Sequence, residues 1–538
     1  MIQKFLHNAQ TNTTRVQYML AGLALLATYG LSASETTISN NLFLHRAFSA
    51  NIEREMMMEG HITKTDFDGF YSFFAATGAY QRSWNQNGAT GIGALPFWSG
   101  TNAMTVGTNL NGTSLDAYQF GLGNVTSNGQ IELNPIVYQG GADFLFYAGG
   151  STNDPGFFIK LKAPLGMIGI NPQLTEVTTA TAAPYVAGAI QPSTTTGYQP
   201  STTMTQAFAG ASNTTDSGDF KVMEYGLIDG LQSSGAKFGD FEMTLGYNLI
   251  CDEEHLFGFG LRASGPSGNK PLGIYALEPI FGRGSSWGIG GYLVGGIKVW
   301  ENHENKYFAI NVMGTILHLV NSNTVRSYDL ELNGPGSKYL LVADYNANIY
   351  QGTIQNLINL STLDSTSSFG AEGNAAIEFQ YVSNGWEVDL GYAFWGRTQE
   401  HLTITQEFDQ NRYAILGRQS VGAFNGSGAA TPSTLSQPSA RINSSLPAVA
   451  ENGNDGATAL ILPATVPANR IAGNSAFNIA AAEQQAASTS KVFTKAAYSW
   501  LDMSMSPYVG LLGEFEISTS QNNALSQWSI AVVGGLYF

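Results

Sequence analysis

The sequence predicts a closed antiparallel β-barrel that crosses a membrane. Twelve segments of about ten residues alternate apolar and polar side chains, as strands with two different faces do. Short and long connections also alternate along the chain. In addition, only 12% of the 538 residues are charged, about half the fraction usual in soluble domains. Beyond the first 35 residues, no uncharged apolar run approaches the roughly 20 residues of a membrane helix, which excludes a helical transporter.

The N-terminus has the order of regions found in secretory signal peptides. Residues 1–15 carry Lys4 and Arg15 and no acidic residue, and residues 16–31 are uncharged and mainly apolar. Small residues follow, so we expect a signal peptide over residues 1–33 with cleavage between Ser32 and Ser34. The alternative is an uncleaved anchor helix. Both interpretations place the remaining chain outside the cytoplasm.

Residues 34–65 are expected to form an N-terminal periplasmic or plug segment. Within them, residues 41–60 include Met56, Met57 and Met58 and are compatible with a short helix before the first strand. The alternative is a terminal extension.

Residues 66–538 are expected to form the barrel, with about 12 strands and a range of 10 to 16. The predicted strands are 67–79, 141–148, 157–165, 241–249, 257–263, 287–299, 308–318, 372–381, 386–397, 492–503, 508–518 and 527–538. The eighth and ninth are separated by Ser383, Asn384 and Gly385, and Asn-Gly is a strong hairpin signal. About this turn, Glu378 and Asp389 are expected to face each other.

The connections between predicted strands differ at the two ends of the barrel. Long loops are predicted near 81–130, 169–237, 321–370 and 398–490, and the connections that alternate with them are short. This asymmetry is typical of outer-membrane barrels, whose short turns are periplasmic and whose long loops are extracellular. The loops at 169–200 and 398–490 are rich in Ala, Thr, Ser and Pro, which favours loosely ordered segments. A soluble β-sandwich also alternates and is the competing fold.

The last strand carries a family resemblance. One face of residues 527–538 presents Ile530, Val532, Leu536 and the terminal Phe538. This resembles the C-terminal recognition strand of bacterial outer-membrane proteins, which the barrel-assembly machinery reads. The resemblance implies a porin-like outer-membrane β-barrel protein that is exported by the secretory pathway and assembled by that machinery in a Gram-negative envelope.

The charged side chains of the strands are expected to line the lumen, because a basic residue at the lipid midplane costs about 2 to 4 kcal/mol and an acidic one somewhat less. The predicted pore-lining residues are Lys160, Lys162, Asp240, Glu242, Arg262, Lys298, Glu372, Glu378, Glu387, Asp389, Arg397, Glu514 and Glu516. Acidic residues outnumber basic ones in this set. Twelve strands predict a narrow hydrated lumen.

Motifs for other functions are weak. The formal net charge of −16 argues against nucleic-acid binding. The single cysteine, Cys251, allows no internal disulfide, and the seven histidines have no metal-ligand spacing. Gly288, Gly290 and Gly291 lie within a predicted strand, where glycine eases bending, and not before a helix. We therefore expect no metal, no cofactor and no enzymatic activity. The Glu378 and Asp389 pair is interpreted as lumen charge in preference to a catalytic pair.

These observations favour a non-enzymatic channel for passive diffusion of small hydrophilic solutes, with a mild preference for cations. The expected partners are outer-membrane lipid, the assembly machinery and, if the barrel oligomerises, further copies of itself. The alternative function is an adhesin or structural envelope protein that acts through the long loops. An outer-membrane hydrolase is a third class, for which no Ser, His and acid arrangement stands out.

Overall fold

The structure is a computed structural model, and it describes most of the barrel and part of its loops. The described residues are 46–59, 70–84, 103–107, 114–123, 125–149, 155–185, 199–212, 219–252, 254–302, 306–346, 349–416, 441–442, 470–503, 505–519 and 524–538. The predicted signal peptide lies outside these residues, as does most of the predicted 398–490 loop. None of the helices within the described ranges is long and apolar enough to cross a bilayer.

Twelve strands form the barrel. In chain order they are β1 (Tyr71–Ser83), β2 (Ile136–Gly149), β3 (Gly156–Asn171), β4 (Phe241–Cys251), β5 (His255–Gly265), β6 (Gly288–Asn302), β7 (Lys306–Ser327), β8 (Thr362–Ser383), β9 (Trp386–Arg397), β10 (Ala487–Ser499), β11 (Tyr508–Ser518) and β12 (Gln527–Tyr537). Each strand pairs antiparallel with the next along the chain. The ring closes where β12 pairs with β1, from Tyr537 opposite Phe73 to Gln527 opposite Ser83. Fold class and strand number therefore match the prediction.

The two faces of the barrel differ in chemistry. Apolar side chains point outward along every second residue, and Leu390, Leu511 and Ile530 are each more than half exposed. Aromatic residues lie at both ends of this apolar band. Those near the short turns include Phe157, Trp300, Trp386, Trp500 and Phe538, and those near the long loops include Tyr80, Phe241, Trp287, Phe515 and Trp528. Such girdles mark the two membrane interfaces of transmembrane barrels.

The long connections all leave the same rim, and their described parts fold together. We call this assembly the loop cap. One small sheet contains Ala103–Gly107, Leu115–Asp116, Gly129–Leu133 and Leu174–Thr178, and a second contains Phe220–Lys221, Leu341–Asn346, Ile349–Asn356 and Tyr413–Ile415. Short helices span Met204–Phe208, Ile358–Ser361 and Ile479–Ala482. Gln232–Ser233 and Lys237–Phe238 pair with β3, and Glu400–Ile404 pairs with β8.

The loop cap has its own core. Phe120, Phe208 and Tyr339 form mutual ring contacts with centroids 5.0 to 5.8 Å apart. Buried Asp329 accepts hydrogen bonds from the backbone N–H groups of Gly336 and Lys338. Burial raises the pKa of Asp329 and lowers that of Lys338, and the attraction between the two opposes both shifts. The described parts of the loops predicted to be loosely ordered, 398–416 and 470–486, contribute Phe408, Tyr413, Ile471 and Phe477 to this core. For these parts the prediction of loose order is wrong.

Strand boundaries differ most from prediction near the loop cap. The first strand begins and ends four residues later than predicted. In addition, β7 continues to Ser327, and β8 already begins at Thr362. The predicted 321–370 loop is therefore shorter, because these two strands remain paired beyond the apolar band. The hairpin turn contains only Asn384 and Gly385, with positive φ of 52° and 85°, and Ser383 pairs with Trp386.

The exposed apolar band predicts a depth-dependent penalty for charge. Leu390→Arg, in the middle of β9, is expected to lower the free energy of unfolding by about 2 to 4 kcal/mol. Val509→Arg, at the short-turn end of β11, is the matched control and is expected to cost about 0 to 1 kcal/mol. Urea unfolding of the protein in lipid vesicles measures both, and equal costs would contradict a lipid-facing band.

Candidate functional site in the barrel lumen

A short N-terminal segment lies inside the barrel. It contains residues 46–51 and the helix α1 (Ile52–Glu59), and we call it the lumen segment. Every residue of α1 is buried, although the helix has charged residues on several sides. Its backbone lies close to β1 and β12 on one side and to β7 and β8 on the opposite side. The helix therefore occupies the centre of the ring.

Local sequence favours a helix here, and the barrel wall holds it. Glu53 and Glu55 lie in the first turn, where acidic side chains complement the helix dipole. An isolated helix of eight residues is marginal in water, so its stability comes from contacts with the wall. These contacts are mostly ionic.

One group of ion pairs joins the lumen segment to β10 and β11. Arg54 donates two hydrogen bonds to Glu514, at 2.7 and 2.8 Å. Arg46 donates to Glu516 at 2.9 Å and to Glu53 at 3.0 Å. Lys491 lies 2.6 Å from Glu53 and 3.1 Å from Glu514. All these side chains are nearly inaccessible to solvent.

A second group joins α1 to β3 and β5. Arg262 donates two hydrogen bonds to Glu55, one of 3.0 Å from Nη1. Lys160 and Lys162 also lie near Glu55, with Nζ to carboxylate oxygen distances of 3.8 and 3.9 Å. Lys160 additionally donates to Glu59. The lumen segment is thus fixed by charge on two sides.

Wall side chains also bind backbone carbonyl groups of the lumen segment. Lys162 donates to the Ser49 carbonyl at 2.7 Å, Lys495 to the Met57 carbonyl at 3.1 Å, and the Tyr508 hydroxyl to the Met58 carbonyl at 2.6 Å. The carbonyl groups of Met57 and Met58 lie in the last turn of the helix, where partners within the helix are lacking. The wall therefore supplies helix caps.

Arg283 enters the lumen from the connection between β5 and β6. Its guanidinium lies 2.7 Å from Glu372, 2.9 Å from Glu242 and 3.6 Å from Asp240. Phe281 of the same connection contacts Phe48, with ring centroids 5.7 Å apart. This loop closes the space above the lumen segment.

A third charge cluster lies on β8, β9 and β10. Lys495 is 2.6 Å from Glu387 and 3.0 Å from Asp389. Glu378 accepts a hydrogen bond from Asn311 at 3.0 Å. The prediction that Glu378 and Asp389 face each other is wrong by two residues. Gln380 is opposite Asp389, and Gly391 is opposite Glu378. The two-residue turn shifts the register.

Two predicted pore-lining residues lie away from the lumen segment. Lys298 is at the short-turn rim and pairs with Glu301 at 3.2 Å. Arg397 is near the loop cap, where it donates to Gln484 at 2.9 Å and stacks on Phe369. The residues of the proposed assembly signal, Ile530, Val532, Leu536 and Phe538, are all exposed on the outer face.

Sequence analysis missed several charged residues of the lumen. They are Arg46, Glu53, Arg54, Glu55, Glu59, Asp143, Arg283, Lys491 and Lys495. Lys491 and Lys495 are four residues apart and alternate with Val492 and Thr494, so period-two alternation contains a signal for them. No local pattern marks Arg283 or the charged residues of the lumen segment itself.

The lumen segment occupies the centre of the described lumen. Most of the charges of this lumen are paired, although the carboxylate of Asp143 has no hydrogen-bond partner. Its wall is in contact with α1, and the described residues contain no cluster suited to a metal ion. Chemically, this arrangement can block or release a polar pathway.

Comparisons with known proteins give weak likenesses. No family model and no curated protein matches the sequence. Similar solved structures include an outer-membrane channel from Pseudomonas putida F1, with 7% identity, a TM-score of 0.37 and coverage of 88% of this chain and 97% of that chain. They also include a Pseudomonas aeruginosa FadL homologue, with 8% identity, a TM-score of 0.24 and coverage of 89% and 91%. The β domain of the Bordetella autotransporter BrkA has 8% identity, a TM-score of 0.20 and coverage of 88% and 100%. With likenesses this weak, the barrel architecture of this chain is established by its own strand pairing.

The buried pair of Arg54 and Glu514 leads to a stability prediction. Arg54→Met leaves Glu514 buried with one cation fewer, so we expect the free energy of unfolding to fall by about 3 to 5 kcal/mol. The double variant Arg54→Met/Glu514→Leu removes both charges and is expected to recover most of that loss. Urea denaturation in detergent micelles measures both variants.

The control is Lys221→Met, which breaks an exposed pair with Glu224 in the loop cap. It is expected to cost less than about 1 kcal/mol. A double variant as unstable as the single one would contradict the account of Arg54 as a counter-charge.

Proposed function

We propose that this protein is a non-enzymatic outer-membrane channel for small hydrophilic solutes, and that the lumen segment is its plug. The observation that carries the proposal is the set of ion pairs between α1 and charged wall residues on opposite sides of the lumen, above all Arg54 with Glu514 and Glu55 with Arg262. Transport requires the plug to move away from some part of the lumen wall.

The polar wall supports a channel in preference to a purely structural barrel. A lumen that is only a packed core is filled by wall side chains, as in small barrels. Here a separate segment fills it, and the wall behind that segment is charged and hydrophilic. Wetting such a wall after the plug moves is favourable, because each exposed charge regains its hydration.

The two faces of the strands support two finer features of the proposal, the ion preference and the insertion into the membrane. Acidic residues exceed basic ones among the side chains of the strands that face inward, which supports the mild preference for cations. The exposed apolar band and the outward Ile530, Val532, Leu536 and Phe538 support insertion into outer-membrane lipid by the assembly machinery. Homo-oligomers and adhesion through the loop cap stay predictions.

Channel activity is tested in planar bilayers with a variant that releases the plug. Glu55→Lys places a fourth cation beside Arg262, Lys160 and Lys162, so we expect the frequency of open conductance steps to rise at least tenfold, which is roughly 1.4 kcal/mol of closed-state stability. Glu224→Lys makes the same change on the exposed loop cap and is expected to behave like the unaltered protein. If neither Glu55→Lys nor deletion of residues 46–59 conducts, the protein is not a channel.

Ion preference is tested by the reversal potential in a gradient of potassium chloride. The Glu55→Lys channel is expected to favour potassium modestly, and Glu378→Gln/Asp389→Asn is expected to reduce that preference because it removes two inward carboxylates. A reversal potential that shows a preference for chloride over potassium would contradict the prediction of a cation-preferring lumen.

A further inference from the structure

The plug is bound unevenly around its circumference. The hydrogen bonds and ion pairs of α1 and residues 46–51 go to side chains of β3, β5, β8, β10, β11 and β12, and to Arg283. The inward face of β1 and β2 has a different character, although α1 lies close to β1. We call this face the β1–β2 wall.

Four polar side chains of the β1–β2 wall share one face. Thr77 lies opposite Asp143, and Gln81 lies opposite Gln139. The even spacing along both strands points all four into the lumen. Their exposed fractions are at most 2%, so none of them is in contact with bulk water.

These side chains have hydrogen-bonding capacity that the described residues do not satisfy. The atoms without a hydrogen-bond partner are Thr77 Oγ1, Gln81 Oε1, Gln139 Oε1 and Nε2, and both carboxylate oxygens of Asp143. On the plug, Arg54 Nη1 is also without a hydrogen bond. These buried groups therefore have no protein partner in the closed contact, and leaving a buried polar group without a partner is unfavourable.

The direction in which the plug moves therefore determines which contacts with the barrel wall are broken. Separating α1 from β3, β5, β10 or β11 breaks buried charge pairs. Separating it from the β1–β2 wall breaks none of those pairs and lets water reach the unsatisfied atoms. A small displacement of the plug away from β1 and β2 therefore breaks none of these pairs and opens a polar gap.

The chemistry of the β1–β2 wall indicates which solutes this gap suits. Acceptor oxygens predominate, while Gln139 Nε2 and Arg54 Nη1 supply donors, and a hydroxyl group can bond to both kinds of atom. Arg54 and Lys162 act electrostatically on Asp143, so charges of both signs lie beside this gap. Toward the short-turn rim, Phe73 and Tyr147 stack with centroids 5.2 Å apart and give the lumen an aromatic surface.

We infer that neutral, hydroxyl-rich small solutes cross the barrel between α1 and the β1–β2 wall, and that Thr77, Gln81, Gln139 and Asp143 bind them on the way. This rests on the proposed channel function and adds to it a route and a substrate class. The plug stays bound to β3, β5, β10 and β11 during passage.

Liposome swelling with the full chain tests the inference, using arabinose as the hydroxyl-rich probe and proline as a zwitterionic probe. Gln81→Leu/Gln139→Leu removes two sets of hydrogen bonds to the solute, and we expect arabinose influx to fall roughly tenfold while proline influx changes less than about twofold. The matched control is Gln380→Leu, the same substitution on β8, across the barrel from the β1–β2 wall. It is expected to leave both rates unchanged.

The outcomes separate the route from the channel function. Folding of each variant is checked by its resistance to SDS before boiling, and Gln139→Leu alone replaces the double variant if that one does not fold. Unchanged arabinose influx in the variant, or an equal fall for proline, overturns the route. If the unaltered protein admits neither probe but Glu55→Lys admits both, the route is wrong and the channel stands. If neither protein admits either probe, both proposals fail.

Discussion

The structure depends on one constraint: inside hydrocarbon, every backbone N–H and C=O group needs a partner within the protein. A sheet meets it only by closing, and here the pairing of β12 with β1 completes the ring. Closure separates the two faces of every strand into a lipid side and a lumen side. Since charges are excluded from the lipid side, they accumulate in a narrow interior, where they need counter-charges or water.

The plug supplies those counter-charges. Arg54 and Glu55 are neighbours in sequence, yet they pair with different parts of the wall. Arg54 pairs with the acidic Glu514, and Glu55 pairs with the basic Arg262. The plug therefore matches a wall that carries both signs, and its position is specified by charge more than by shape. Buried ion pairs of this kind contribute modest net stability, because desolvation offsets much of the attraction. A segment bound this way is well located without being held irreversibly.

The strands could be predicted from the sequence alone because the alternation of apolar and polar residues is a local property. Residues 508–518 and 527–538 are half lipid-facing and half lumen-facing, and their pattern shows it directly. Alternation fails to mark where a strand leaves the membrane, so the ends of β7 and β8 were missed. Register about the Asn384 turn was misplaced by two residues, because turn geometry decides it and both registers keep the same faces inward.

Only part of the candidate site could be predicted from the sequence, for a related reason. The inward residues were identifiable by exclusion from lipid, but their partners were not. Arg54 and Glu514 are 460 residues apart, and no periodicity relates them. The loop cap shows the same limit, since composition suggested loose order where Phe408 and Phe477 in fact pack together, with ring centroids 5.1 Å apart.

In the proposed channel, the lumen wall must suit both a closed and an open state, and this requires a polar plug. An apolar plug would require an apolar wall, and such a wall would disfavour hydrophilic solutes once the plug moved. Glu514, Glu516, Arg262 and Lys160 bind the plug because it offers the opposite charge at each of these positions. The rest of a polar wall is compatible with water. The β1–β2 wall departs from this matching, since its polar atoms meet no partner on the plug. In the proposed channel, these are the atoms that water and solute contact when the plug moves away from β1 and β2.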